Sequence, residues 1–420
     1  MKLTVLGGGS TYTPELVDGF ARLRALLPLT ELCLVDPDAD RLALVAGVSR
    51  RMFARFGYGV TVTATSDVVA GVSDASAVLF QLRVGGQAAR HTDETFPHAC
   101  GCIGQETTGP GGLAKALRTV PVVLSLADLV RRHARPDAWI VDFTNPVGIV
   151  TRALLSEGHR AVGLCNVAIG FQRRFASMLS VEPSEVSLEH VGLNHLTWVR
   201  AVTTDGVDRL PELLAGHGPE VAESLELPVE LLRVLGVVPS YYLRYFYAHD
   251  EVVAEQRSTG SRAARVAEIE RDLLAMYADP ALDEKPALLA ERGGAYYSEA
   301  AVQLAASLLG RPETPTTQVV NLRNDGTMPF LPDDAVIEVP ATVDRSGVRA
   351  LTPAPLAPLY AGLVAAVTSY EHLALDAALR GGYDRVFQAL LAHPLVGQAD
   401  IAHGLANRLI AHNRDHLRWA

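Results

Sequence analysis

Basic residues are in short supply in this 420-residue chain, with 37 Lys and Arg against 47 Asp and Glu and a net charge of −10. Nucleic-acid binders normally present a basic face, so the expectation is no nucleic-acid partner. An anionic substrate would need arginines clustered locally against an unfavourable overall field. Cysteine is also scarce: Cys33, Cys100, Cys102 and Cys165, irregularly spaced, form no disulfide framework. Cys33 lies in an apolar run, and Cys100-Gly101-Cys102 lacks the two-residue spacing of zinc and redox pairs, so both read as packing. No run approaches the roughly eighteen apolar residues of a membrane span, and the apolar stretch after Met1-Lys2 is too short for a signal-peptide core. The expectation is a cytoplasmic protein with reduced thiols and no membrane partner. Repeats and low-complexity segments are missing too.

What is present is ordinary globular material, 49% apolar and 20% charged, at a length that suggests two domains or one large one. Lys2 to Leu6 reads as a strand that stops at Gly7-Gly8-Gly9-Ser10-Thr11. A helix follows, with Leu16, Val17, Phe20, Leu23 and Leu27 at helical spacing and Pro14 in the tolerant first turn. The next strand, Glu31 to Val35, ends at Asp36. Strand, glycine turn, helix, strand and acid is the order of a dinucleotide-binding βαβ unit. The glycines let the backbone approach a pyrophosphate at a helix N-terminus, and Asp36, placed for ribose hydroxyls, favours NAD over NADP. The motif is imperfect, because Tyr12 stands where the third glycine would be.

Strands at Val60–Thr63, Ala77–Phe80, Trp139–Phe143 and Ala161–Leu164 alternate with helices such as Arg41–Phe56 and Ala114–His133. The alternation implies a doubly wound, mostly parallel sheet, whose ligands bind beyond the carboxyl strand ends. Polar clusters stand at three of those ends: Gln81-Leu82-Arg83, Thr144-Asn145-Pro146 and Cys165-Asn166. Gly104 to Gly112 is a glycine-rich polar loop leading into a helix, placed for backbone approach to a ligand. Cys165 and His195, each beside a carboxamide and thirty residues apart, are a candidate metal or catalytic pair, with core packing as the alternative. Thr203 to Ser224 reads as a surface excursion, and Pro239 to Tyr247 as an aromatic core segment in which Arg244 and one tyrosine are exceptions. Further elements are expected at Ser298–Leu309, Thr317–Leu322, Ala335–Val339 and Ala357–Leu379. The organisation expected is a Rossmann-like domain over 1–185 and a mixed α+β substrate and oligomerisation domain over 186–420.

Taken in order, Gly7 to Leu16, Gln105 to Gly112, Phe143 to Gly148, Gly163 to Val167, Gly192 to Leu196, Asn321 to Gly326 and Leu331 to Asp334 resemble glycoside hydrolase family 4 over nearly the whole chain, and within it the 6-phospho-β-glucosidases. The resemblance implies NAD and a divalent metal, usually Mn2+, held by Cys165 and His195, with Gly7, Gly9, Ser10, Thr11 and Asp36 on the cofactor. It implies a redox elimination, an exception to two-carboxylate hydrolysis: hydride leaves C3 of the sugar, a base takes the C2 proton, the aglycone departs, water adds and C3 is reduced again. Tyr242 matches the base, with Tyr241 and Tyr245 close by; a phenol needs a neighbouring cation to act at neutral pH. Arg90 and Arg262 match phosphate ligands, suited by guanidinium geometry, and Asn145 and Asn166 match contacts to sugar hydroxyls. Asn166 stands where α-glycosidases of the family often carry an acidic Asp, which implies a β-linked substrate. The ligand pair alone suggests zinc or iron before manganese, so Mn2+ comes from the resemblance. A homodimer or homotetramer is the family habit. The alternatives are another family 4 substrate, a net NAD-dependent dehydrogenase, in which Cys165 and His195 would go unexplained, and a non-catalytic NAD sensor.

Overall fold

Leu3 to Leu6 are buried, and the strand they form, β1 (Lys2–Leu6), is the centre of the parallel half of the sheet. The computed structural model describes residues 1–294, 296–311 and 313–420. In chain order the next strands are β2 (Glu31–Val35), β3 (Thr61–Thr65), β4 (Ala77–Phe80), β5 (Trp139–Asp142) and β6 (Ala161–Gly163). They lie parallel in the order β3-β2-β1-β4-β5-β6, which is the Rossmann arrangement. β4 and β5 are buried at every residue, as expected of strands covered on both faces by helices.

The remaining strands are β7 (Ser187–Leu193), β8 (Leu196–Thr204), β9 (Val207–Asp208), β10 (Val238–Pro239), β11 (Thr316–Arg323), β12 (Val336–Asp344) and β13 (Gly347–Ala350). They extend the same sheet antiparallel, as β6-β11-β12-β7-β8-β10, with β13 on β12 and β9 on β8. Asn321 of β11 pairs with Gly163 of β6, and Gly192 of β7 with Glu338 of β12. Strands from both sides of residue 185 thus join in one sheet, and Cys165 and His195 follow the ends of strands near that join.

Most element ends fall within a few residues of expectation; the helix placed at Ala114 begins at Gly109, the first helix, read through Leu27, ends at Arg22, and the strand expected to end at Val339 runs to Asp344. Thr203 to Ser224 differs more. Gly206, at φ +77, turns β8 into β9, and Leu210–Leu225 is a helix despite Gly216, Gly218 and Pro219. Burial of Leu210, Leu213, Val221, Ala222 and Leu225 against Phe171, Phe175 and Val199 outweighs their low helix propensity. Among the described residues no helix is long and apolar enough to cross a membrane.

Candidate active site

Beyond the carboxyl ends of β1, β4 and β5 opens a cleft of about 880 Å³. Its floor is the glycine turn. Gly7 has φ +87, and a Cβ there would lie 2.7 Å from the carbonyl oxygen of Gln81, so only glycine fits. The Asp36 carboxylate accepts the N–H of Gly9 at 3.0 Å and that of Asp38 at 3.0 Å, which holds it at the turn. Tyr12 explains the missing third glycine. The helix starts after it, at Thr13, and the buried ring sends its hydroxyl to the carbonyl of Gly294 at 2.6 Å. Further along the same helix Gly19 allows close packing on the helix Tyr297–Leu308, where a Cβ would lie 2.8 Å from that of Ser298. Open backbone at Gly7 and Gly9, a helix N-terminus and a fixed carboxylate suit a dinucleotide.

Cys165 and His195 lie deeper, off the cleft wall. Both are buried. His195 has φ +64, as the two-residue turn between β7 and β8 requires. Its Nδ1 lies 2.8 Å from the Thr107 hydroxyl. Burial pulls its pKa down to about 4, so the ring is neutral and able to ligate. Burial, and then the charge of Glu338, push the Cys165 thiol up, while Asn194 and Tyr297 hydrogen-bond to it. Glu338 accepts from His190 Nε2, Asn194 Nδ2 and Asn321 Nδ2, each at 2.9 Å, and so orients the carboxamide beside the thiol. Among the described residues no three His, Cys, Asp or Glu side chains form a ligand group. Cys165 and a neutral His195 would nevertheless supply two ligands to a divalent cation. Asn145 Oδ1, buried and unpartnered, belongs to a residue of the adjoining cleft wall.

Tyr242 separates this pair from the cleft. Its ring stacks on that of His195 with centroids 3.5 Å apart and planes 7° from parallel. Of the three neighbouring tyrosines it is the one lining the cleft: Tyr241 accepts from Arg244 at 2.8 Å, and Tyr245 packs with Ile103 and Val252. Burial pushes the Tyr242 phenol well above its ordinary value, the Glu106 charge adding to it, while Arg90 opposes. Arg90 alone therefore does not hold it ionised.

Another side of the cleft is a charge cluster around Glu106. This carboxylate accepts from Arg83 and from Lys115 Nζ at 2.6 Å, and forms an ion pair with Arg90, whose Nε lies 3.2 Å away. These cations hold Glu106 well below the usual carboxylate range despite its burial. Lys115, buried and sharing that carboxylate with two arginines, is pulled down to about 7, mainly by burial. Arg262 lines the same cleft and donates to the carbonyl of Glu291 at 2.5 Å.

Gly7, Gly9, Ser10, Asp36, Arg90, Asn145, Tyr242 and Arg262 thus share one cleft. Thr11 is buried behind the turn, its hydroxyl accepting Arg292 Nε at 2.9 Å, and Asn166 sits at the N-cap of the helix Val167–Leu179. Sequence reasoning missed Arg292, Tyr297, Glu94 and Lys115. For Lys115 a signal existed: a lysine between Ala114 and Ala116 in a run whose every neighbour is apolar. The Gly104 to Gly112 loop, read as backbone approach to a ligand, also contributes the Glu106 side chain.

Comparison with known proteins agrees over both halves. The family described as "Family 4 glycosyl hydrolase" matches residues 2–181, and "Family 4 glycosyl hydrolase C-terminal domain" matches 190–396. The chain is 37% identical to the "Probable 6-phospho-beta-glucosidase" of Bacillus subtilis, covering 99% of this chain and 97% of that one. It is 34% identical to the 6-phospho-β-glucosidase of Escherichia coli, covering 100% and 96%. The solved 6-phospho-β-glucosidase of Thermotoga maritima with manganese, NAD+ and glucose-6-phosphate superposes with a TM-score of 0.91 at 32% identity, over 99% of each chain.

Proposed function

Because this chain belongs to glycosyl hydrolase family 4, we propose that it hydrolyses 6-phospho-β-glucosides in a redox-neutral elimination that requires NAD+ and a divalent cation, Mn2+ by preference. The observation that carries the reading is the place of Tyr242, between the buried Cys165–His195 region and a cleft shared by the glycine turn and the arginines. When bound, NAD+ supplies a hydride acceptor for C3 and the cation supplies Lewis acidity at the sugar oxygens. Gly7, Gly9, Ser10, Thr11 and Asp36 hold the dinucleotide, and Cys165 and His195 hold the cation. Tyr242 takes the C2 proton, and the Arg90 charge favours its anion. Arg90 and Arg262 take the 6-phosphate, a reading supported by the relatives' names and by the glucose-6-phosphate in the Thermotoga structure. Asn145 and Asn166 contact hydroxyls. Asn166, a carboxamide, is no strong acid, which supports a β-linked aglycone that leaves with little protonation.

The four free cysteines support a cytoplasmic setting. A homodimer or homotetramer is proposed from the family resemblance alone. The test is turnover of p-nitrophenyl 6-phospho-β-glucoside with and without NAD+, Mn2+ and reductant. We expect turnover only with all three, and no net NADH. Steady NADH accumulation, or preference for the α-anomer, would overturn the reading.

A further inference from the structure

Arg90 and Arg262 stand on different helices, Gly86–Thr95 and Arg262–Tyr277. A single buried side chain touches both helices at the points that matter. Glu94 accepts Arg90 Nε through Oε1 at 2.7 Å and the N–H of Ala263 through Oε2 at 2.7 Å. The second bond satisfies one of the unpaired N–H groups in the first turn of the helix that begins at Arg262, where a carboxylate is also favoured by the helix dipole. A parallel tie joins the same two helices. His91 Nδ1 lies 2.6 Å from the Ser261 hydroxyl, which caps the helix by accepting the N–H of Ala264 at 3.2 Å.

We propose that Glu94 is the positioning residue of the phosphate subsite. It fixes the distance between Arg90 and the helix end that bears Arg262, and so sets the preference for phosphorylated over plain glucosides. The proposal rests on the phosphate reading of those two arginines. Arg90 donates from Nε to Glu94 and has Glu106 3.2 Å from the same nitrogen, and the residue lines the cleft. The pair of carboxylates therefore grips one edge of the guanidinium and orients the group. Charge balance agrees. Arg83, Arg90 and Arg262 against Glu94 and Glu106 leave one positive charge beside the cleft, raised toward two while Lys115 is protonated, the sign that a phosphate monoester requires.

The test compares inhibition of the full-length enzyme by glucose 6-phosphate and by glucose. For Glu94→Ala we expect the inhibition constant for glucose 6-phosphate to rise at least tenfold, that for glucose to stay within twofold, and KM for the phosphorylated substrate to rise more than kcat falls. Glu94→Gln should fall between, because its amide oxygen can keep the Ala263 N–H while its NH2 opposes Arg90 Nε. If Glu94→Ala raises both inhibition constants in proportion, or neither, the proposal fails; where the Ala variant does not fold, an unchanged ratio in Glu94→Gln has the same force. Arg90→Met and Arg262→Met test the underlying reading. If they leave glucose 6-phosphate inhibition unchanged, the phosphate assignment falls. If they weaken it and the Glu94 variants do not, only the role of Glu94 falls.

Discussion

Tyr242→Phe removes one oxygen atom and leaves the ring that stacks on His195 at 3.5 Å. The expected loss is chemical. A phenol of ordinary pKa, near 10, is about 0.3% ionised at pH 7.5, and here burial and the Glu106 charge raise it further against the opposing charge of Arg90. On the proposed reading the base is limited by ionisation and would depend on the cation assigned to Cys165 and His195. A positioned general base contributes about 10²- to 10⁴-fold, or about 3–5 kcal/mol of barrier, and kcat should fall by that factor. Stability should barely move. The unfolding entropy of a chain of this size, about 0.9 kcal/mol/K, turns a packing change of about 1 kcal/mol into about 1 °C of Tm. The assay pairs kcat on the p-nitrophenyl substrate with deuterium uptake at C2 of the product in D2O. Tyr241→Phe and Tyr245→Phe serve as controls, since Tyr241 is bonded to Arg244 and Tyr245 packs with Ile103; both should stay within about threefold of the wild type on the same measure. Retention of more than a tenth of kcat by Tyr242→Phe, or wild-type deuterium uptake, would refute the assignment.

Three further outcomes are expected. Mn2+ added to the apoprotein near neutral pH should release about one proton, because the buried thiol is protonated until a cation displaces it; release that survives in Cys165→Ser would remove the thiol from the site. Lys115, at about 7, loses its charge as pH rises, so glucose 6-phosphate inhibition should weaken above pH 7, and Lys115→Met should remove that step. The same depressed pKa means that the unfolded chain binds more protons between about 7 and 10.4, so stability rises with pH across that window; denaturant midpoints should show a flatter profile in Lys115→Met. Asp36→Ala should weaken NAD+ binding by about 10- to 100-fold, the scale of a charge-assisted hydrogen bond, and lessen discrimination against NADP+; unchanged selectivity in binding titrations would exclude Asp36 from the ribose site.

Much of the architecture is legible along the chain because it is written in local rules. Apolar runs that stop at Gly7 and Asp36 announce the βαβ unit, since a glycine turn and an acid at the next strand end are close in sequence and have few other uses. Cys165, His195 and Tyr242 are likewise visible as short words in the order that family 4 displays them. The helix Leu210–Leu225 is not legible, because its glycines and proline speak against it and only burial on Phe171 and Phe175 decides for it. Which of three adjacent tyrosines faces the cleft is also beyond local rules, as it depends on how the segment packs on His195.

By itself, then, the sequence determined the fold class, the cofactor turn and the short list of reactive groups, because each is specified by neighbours a few residues apart. The tertiary structure decided the rest: that Tyr242 lies over His195, that Glu106 gathers Arg83, Arg90 and Lys115, and that Glu94 ties Arg90 to the helix of Arg262. Those are contacts between segments distant in the chain. Their partners are chosen by packing and by the need to pair every buried charge, a condition that no local pattern encodes.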